Sequence, residues 1–334
     1  MDRRKVQVTG GSTFTVSIPK PWAQRQDLDA GDEVGFLADS GSLLLTPSPE
    51  DEVNEGTLDV EDLEGDELTR ALMTMYVSGY DVITLSSDPI TSSQRRVIRN
   101  ATQGLVGLEV LEETTDRVVV QDLLDSSELS IHNAVRRMRL ISLSMLEDAI
   151  VALRTGDADL AADVIDRDDD VDRLWYVVSR IFRGALRSPR VAQQIGLTRE
   201  ESFDYHSSAR QLERIADHAA KISHVPLEMD EDLPEDIGAD LESLHDEAAE
   251  VVDTAMEALF TDDPDRATEL ANATREQVSS IDDVVRSVDE HLRDLEPRQA
   301  QQLGLVVDSL SRSADYGGNV AETALQKAAP TPNP

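Results

Sequence analysis

Five cations, Arg3, Arg4, Lys5, Lys20 and Arg25, stand in the first 26 residues of a 334-residue chain, with Asp2 the one acid among them. The whole chain carries a formal charge of −36, so this start is electrostatically set apart. A positive excess of this kind points to an anionic partner, held by phosphate contacts that ignore base sequence and weaken with salt. The missing acid alone has a second explanation, burial of the segment in a dimer. Other residues with chemical potential are sparse. Glu242 and His245 have the three-residue spacing of di-iron carboxylate bundles, but such centres need two copies and two further glutamates, so a helix-surface pair is expected. His206 and His218 flank one helix and suit either a metal site or ordinary packing. Arg95, Arg96 and Arg99 form a basic helical face, expected to be salt-bridged.

Composition narrows the classes further. No cysteine is present, which removes disulfides, thiolate zinc sites and cysteine nucleophiles. Lysine supplies four of the 31 basic residues and acids number 67, the surface expected of a cytosolic protein from a high-salt cell. No apolar run approaches the roughly 20 residues that span a bilayer, so a cytoplasmic protein without membrane insertion is expected.

These residues need elements to hold them. Residues 3–46 read as short alternating strands broken by Gly10, Gly11 and the prolines of "PKPWAQR", a β unit too small to bury a core alone and therefore expected to dimerise. Residues 47–65 read as an acidic linker. Residues 66–125 alternate helix and strand as a small α/β module, with no phosphate-binding glycine loop at Gly104 and Gly107. The period then becomes helical, over about 128–154, 158–187, 198–224, 235–260, 264–294 and 297–327. Val164, Val171 and Val178 form a seven-residue seam.

The six helices contain a repeat. "AIVALRTGDADLA" (149–161) matches "AMEALFTDDPDRA" (255–267), with Asp157 and Asp263 placed as helix N-caps, and "LERIADH" (212–218) matches "LSRSADY" (310–316). Residues 128–226 and 234–328 thus read as two versions of one three-helix unit. The expected fold is mainly α: tandem three-helix bundles after a small β domain (1–48) and the α/β module.

Residues 128–328, through "RQLERIADHAAKI" (210–222) and "VIDRDDDVDRL" (164–174), resemble the PhoU domain. Residues 3–46, through "GGSTFTVSIPKPWA" and "LDAGDEV", resemble the AbrB/SpoVT swapped-hairpin DNA-binding domain. The combination is similar to archaeal phosphate uptake regulators. It implies a homodimer that binds DNA through Arg3, Arg4, Lys5, Lys20 and Arg25, and whose helical part meets the ATP-binding subunit of a phosphate ABC transporter or a sensor kinase. AbrB-like domains also bind proteins in other settings.

The PhoU resemblance further implies an acid-x-x-x-acid motif holding a divalent or ferric ion. Asp168 and Asp172 fit it on one helix, Glu213 and Asp217 on another. Residues four apart share a helix face, and hard cations prefer oxygen ligands. Both pairs lie off the apolar seams and are expected to be exposed. Chance alone also yields acid pairs such as Asp166/Asp170 in so acidic a chain. In the second repeat Ser311 replaces the glutamate before Asp315, so one metal cluster is expected rather than two. The expected function is a non-enzymatic regulator; the alternatives are a surface metal cluster doing hydrolytic or redox chemistry, or one with a metal-homeostasis role.

Overall fold

In the computed structural model, residues 3–39, 42–47, 53–123, 130–229 and 231–330 are described. Contacts divide the chain into two units, Met1–Glu52 and Val53–Asn333.

The first unit is two small hairpins around a short helix. Strands β1 (Gln7–Thr9) and β2 (Thr13–Thr15) pair antiparallel, Val8 opposite Phe14. Gly10 and Gly11 turn the chain at φ of 64° and 83°, which glycine adopts without a Cβ clash. Helix α1 (Lys20–Arg25) follows Pro19. The sequence suggested only a turn there, but Pro21 sits in the first helical turn, where its missing N–H costs nothing. Strands β3 (Gly35–Asp39) and β4 (Ser42–Thr46) form the second hairpin. Among the described residues of this unit none is buried, and Phe14, Leu43, Val6 and Phe36 are 74%, 67%, 64% and 63% exposed.

The second unit opens with a four-stranded sheet in the order β5-β6-β8-β7. Its elements run β5 (Glu55–Asp59), α2 (Gly65–Val77), β6 (Val82–Ser86), α3 (Ser92–Gln103), β7 (Leu108–Glu113) and β8 (Arg117–Asp122). Strand β5 lies inside the segment expected to be a linker. It is an edge strand parallel to β6, with Glu55, Thr57 and Asp59 on its exposed positions, so acids hide its alternation and its partner lies beyond a helix. Leu68, Leu72, Tyr76, Ile83, Leu85, Val118 and Val120 fill the space under the sheet.

Among the described residues seven helices follow: α4 (Ile131–Thr155), α5 (Ala158–Arg187), α6 (Pro189–Gln194), α7 (Arg199–Glu228), α8 (Glu235–Phe260), α9 (Pro264–Leu292) and α10 (Pro297–Ala328). The six long ones pack as two triples, α4 with α5 and α7, and α8 with α9 and α10, joined chiefly through α7 and α10. Asp157 and Asp263 cap α5 and α9 from identical positions, each carboxylate accepting two backbone N–H groups of the first turn. Thr198 and Glu201 make a capping box for α7. Val164, Val171 and Val178 are fully buried, so the seven-residue seam does face the core. The short α6 was not expected; it occupies the loop of the first triple.

Helix α5 also clamps the sheet. Arg180 Nη1 donates to the carbonyls of Tyr76 (2.7 Å) and Tyr80 (2.9 Å). Its Nη2 meets Asp81 at 2.7 Å and its Nε meets Asp122 at 2.9 Å. The guanidinium lies over the Tyr76 ring, and two turns on Arg187 donates to the Ser78 carbonyl.

Candidate functional site

The cationic start is exposed throughout. Arg3, Arg4 and Lys5 lead into β1, while Lys20 and Arg25 mark the two ends of α1. Arg3, Lys5, Lys20 and Arg25 form no ion pair with a carboxylate among the described residues. Their charge is open to solvent beside the exposed apolar side chains of the two hairpins. Asp29 N–H donates to Asp32 across the "DAGD" turn at 2.7 Å, which consumes one of the few nearby acids locally.

The carboxylate pairs converge from α5 and α7. These helices run antiparallel, placing Trp175 under Arg210 and Phe182 against Phe203 and His206. The same alignment brings Asp168 towards Asp217 and Asp172 towards Glu213. Glu213 is 8% exposed. Its Oε1 accepts from Arg210 at 2.6 Å, and its Oε2 is buried with no hydrogen-bond partner. Asp172 Oδ2 accepts from the Tyr176 hydroxyl at 3.3 Å, and the Tyr176 ring packs against the core of the sheet module.

The charges oppose one another. Burial first, then Asp217, Asp172 and Asp169, push the Asp168 carboxyl up to about 6, against the pull of Lys221. Burial likewise raises Asp172, with the Tyr176 hydrogen bond opposing. Glu213 is pushed up to about 7 by burial and by Asp217, Asp172 and Asp168, which together outweigh Arg210. Like charges drawn out of water favour the protonated forms.

One expectation about this cluster needs correction. The pairs are not exposed: Glu213 is buried and Asp168, Asp172 and Asp217 are half-buried, because α5 and α7 close over them. Among the described residues no three His, Asp or Glu side chains are placed to hold one ion. The donor chemistry still suits a hard cation: all-oxygen ligands, one buried oxygen without a partner, and mutual repulsion that a positive charge would relieve.

The remaining candidates resolve into structural contacts. His206 stacks on Phe182 and abuts Trp175, and His218 packs against Tyr316. Glu242 pairs with Arg154 at 2.5 Å, and His245 Nδ1 lies 3.0 Å from Asp246, so the two share no ligand geometry. Arg95 and Arg99 both hold Glu113. Sequence reasoning missed Tyr176, Arg210 and Arg180. The first two lie within one helical turn of the acids they touch, a spacing that was readable.

Comparison with known proteins bears on both regions. Residues 135–225 match the model of the PhoU domain. This chain carries a PhoU domain. The match runs from α4 into α7 and includes Asp168, Asp172, Tyr176, Glu213 and Asp217; helices α8 to α10 lie outside it. Residues 7–52 match the model described as antidote-toxin recognition MazE, bacterial antitoxin, which spans both hairpins and includes Lys20 and Arg25. Among solved structures, the phosphate transport system regulatory protein PhoU from Streptococcus pneumoniae is similar at 19% identity and a TM-score of 0.48, covering 58% of this chain and 91% of that one. PhoU from Pseudomonas aeruginosa is similar at 20% identity and a TM-score of 0.45, covering 58% and 93%. No curated protein matches the sequence. No helix among the described residues is long and apolar enough to cross a membrane.

Proposed function

We propose that this chain is a regulator of phosphate uptake that binds DNA through its first 48 residues and a transporter or signalling protein through its helices. The observation that carries the reading is the joint occurrence of a PhoU match at 135–225 and an antitoxin-type match at 7–52. Of the proposed contacts Arg3, Arg4, Lys5, Lys20 and Arg25, all exposed, the accessible Arg3, Lys5, Lys20 and Arg25 support DNA as the partner of the first region, since phosphates reward exposed Lys and Arg. The exposed Phe14, Phe36 and Leu43 support a homodimer, in which a second set of hairpins supplies the core that one copy lacks. In the PhoU domain a divalent or ferric cation at Asp168, Asp172, Glu213 and Asp217 would neutralise the cluster; its role is charge compensation, and Arg210 and Tyr176 orient the acids that receive it.

The test uses the full chain and DNA from upstream of phosphate-transporter genes, measured by fluorescence anisotropy over a range of salt. Lys20→Ala with Arg25→Ala is expected to weaken binding and to lower the salt slope by about 1 for each cation removed. Equal affinity and slope in the variant overturn the DNA assignment. Transporter transcription that ignores deletion of the gene at both high and low phosphate overturns the phosphate assignment.

A further inference from the structure

Helices α4 and α8 hold corresponding places in the two triples and run antiparallel, cross-linked by Arg139 to Asp253 and Arg154 to Glu242. In the register that sets Ala149 on Ala255, Arg139 falls on His245 and Glu147 on Asp253. Arg139 Nε donates to Asp253 at 2.8 Å, so the repeat-related site for that pair is His245 with Glu147. There the pair is not made among the described residues. The other cross-link is closed at both of its related sites: Arg154 meets Glu242 at 2.5 Å, and their counterparts set Arg136 over the Phe260 ring.

His245 lines a shallow groove of about 420 Å³ between α4 and α8. The residue is 8% exposed, and its Nδ1 lies 3.0 Å from the Asp246 carboxylate. A carboxylate only accepts, so in the neutral ring Nδ1 carries the proton and Nε2 is a bare acceptor, a tautomer assigned from that contact. Nε2 is buried and has no hydrogen-bond partner. The same groove is lined by Glu147 and Glu250, exposed carboxylates with no ion pair among the described residues. Asp253 is taken by Arg139, and Ser144 already faces Asp148 at 3.3 Å. The polar groups left open therefore all accept. Leu140 and Leu143 supply the apolar wall, with Leu140 at 69% the most exposed large apolar residue described in the second unit.

We infer that this groove receives an arginine side chain from a helix of a protein partner. A guanidinium has donors and no acceptor, in a planar fork that spans separated oxygens, and its methylene stem lies well on apolar surface. The stem covers Leu140 and Leu143, while the head meets Glu147 and Glu250 and gives one N–H to His245 Nε2. The partner thus completes from outside the pair that Arg139 makes within the chain at the related site. An acidic or neutral side chain there leaves the acceptors unpaired, which is how the groove discriminates. A groove between antiparallel helices admits a third helix. The inference rests on the reading that the helices meet a transporter or signalling protein, and it names the chemistry of that meeting.

The test titrates the full chain, isotope-labelled at histidine nitrogen, with a capped alanine-based helical peptide bearing leucines and one arginine on a single face. The imidazole signal missing from His245→Gln identifies Nε2, and the peptide is expected to move it. Citrulline in place of the arginine, or Glu147→Gln with Glu250→Gln in the chain, is expected to weaken binding about tenfold. Glu147→Arg with Glu250→Arg is expected to transfer preference to a peptide with glutamate at that position. An unmoved His245 signal, equal binding of the citrulline peptide, or indifference to the carboxylate changes overturns the proposal. Binding through the leucines alone overturns it in favour of an apolar partner, and a signal that moves with protein concentration before peptide is added overturns it in favour of a second copy. Failure of DNA binding or of phosphate regulation leaves this titration unchanged, and failure of the titration leaves those two tests standing.

Discussion

The two helical triples share a frame and differ in what they enclose. Taking α9 and α10 as the counterparts of α5 and α7, Thr274 and Val278 stand where the first triple has Asp168 and Asp172, and Ser311 stands for Glu213. Thr274 is fully buried and turns its hydroxyl back to the Leu270 carbonyl at 2.9 Å, and Val278 packs on the core. The second triple therefore closes the same seam with apolar and self-satisfied side chains. Its one retained acid, Asp315, is still raised, by burial and then by Asp282. Identical caps at Asp157 and Asp263 show that the helix starts are built alike. The frame is set by caps and seams, while charge is free to diverge wherever a helix face is not needed for packing.

The largest expected contrast is between Arg180 and its counterpart Arg286. The Arg180 side chain is 12% exposed and holds two carboxylates and two carbonyls; Arg286 is 69% exposed and, among the described residues, pairs only with Asp283. Arg180→Ala is expected to cost about 3–5 kcal/mol in urea unfolding, because one removal breaks two ion pairs and two carbonyl hydrogen bonds where α5 meets the sheet. Arg286→Ala should cost under about 0.5 kcal/mol. Equal costs would mean that the sheet module does not depend on α5.

A smaller effect is expected from Glu213. Its carboxyl is held at about 7 against an ordinary 4.5, so the folded chain keeps a proton that the unfolded chain has already lost. Stability is then greatest below the ordinary value and falls as pH rises towards 7, by on the order of 2 kcal/mol. Glu213→Gln should flatten that fall in thermal melts between pH 4.5 and 8, whereas Ser311→Glu should introduce a similar fall through the second triple. Magnesium or manganese added at pH 7.5 should raise the wild-type midpoint and leave Glu213→Gln with Asp168→Asn unmoved.

The smallest effect lies at the packing of α10 on α8. Gly317 occupies the place that Ala219 holds in the first triple, and a Cβ there would meet Val251 Cγ1 at 2.8 Å and Val252 backbone atoms at 3.1 Å. Gly317→Ala is expected to destabilise by about 1 kcal/mol, overpacking outweighing the helix propensity it gains. Stabilisation instead would show that α8 yields easily.

Much of the frame was readable because its signals are local. Asp157 and Asp263 mark helix starts within three residues, and the Val164 seam repeats within one helix. Strand β5 was not readable, because its hydrogen bonds reach β6 across α2 and its exposed positions carry acid. The carboxylate cluster was readable as two spaced pairs but not as an enclosed set, since its burial depends on how α7 crosses α5, a fact of tertiary packing. Arg180 had no local signal at all: its partners Asp81 and Asp122 lie far back in the sequence. The PhoU resemblance and the basic start identified the two regions where comparison with known proteins also finds matches.

Trp175 sits one turn from Asp172, under the Arg210 guanidinium and beside His206. The chain has two tryptophans, and the other, Trp22, belongs to α1 in the first unit. Each unit thus comes with its own native fluorophore. Replacing either indole by phenylalanine leaves emission that tracks one half of the molecule alone, so the DNA contact and the ion uptake proposed above can be tested separately, with no dye attached.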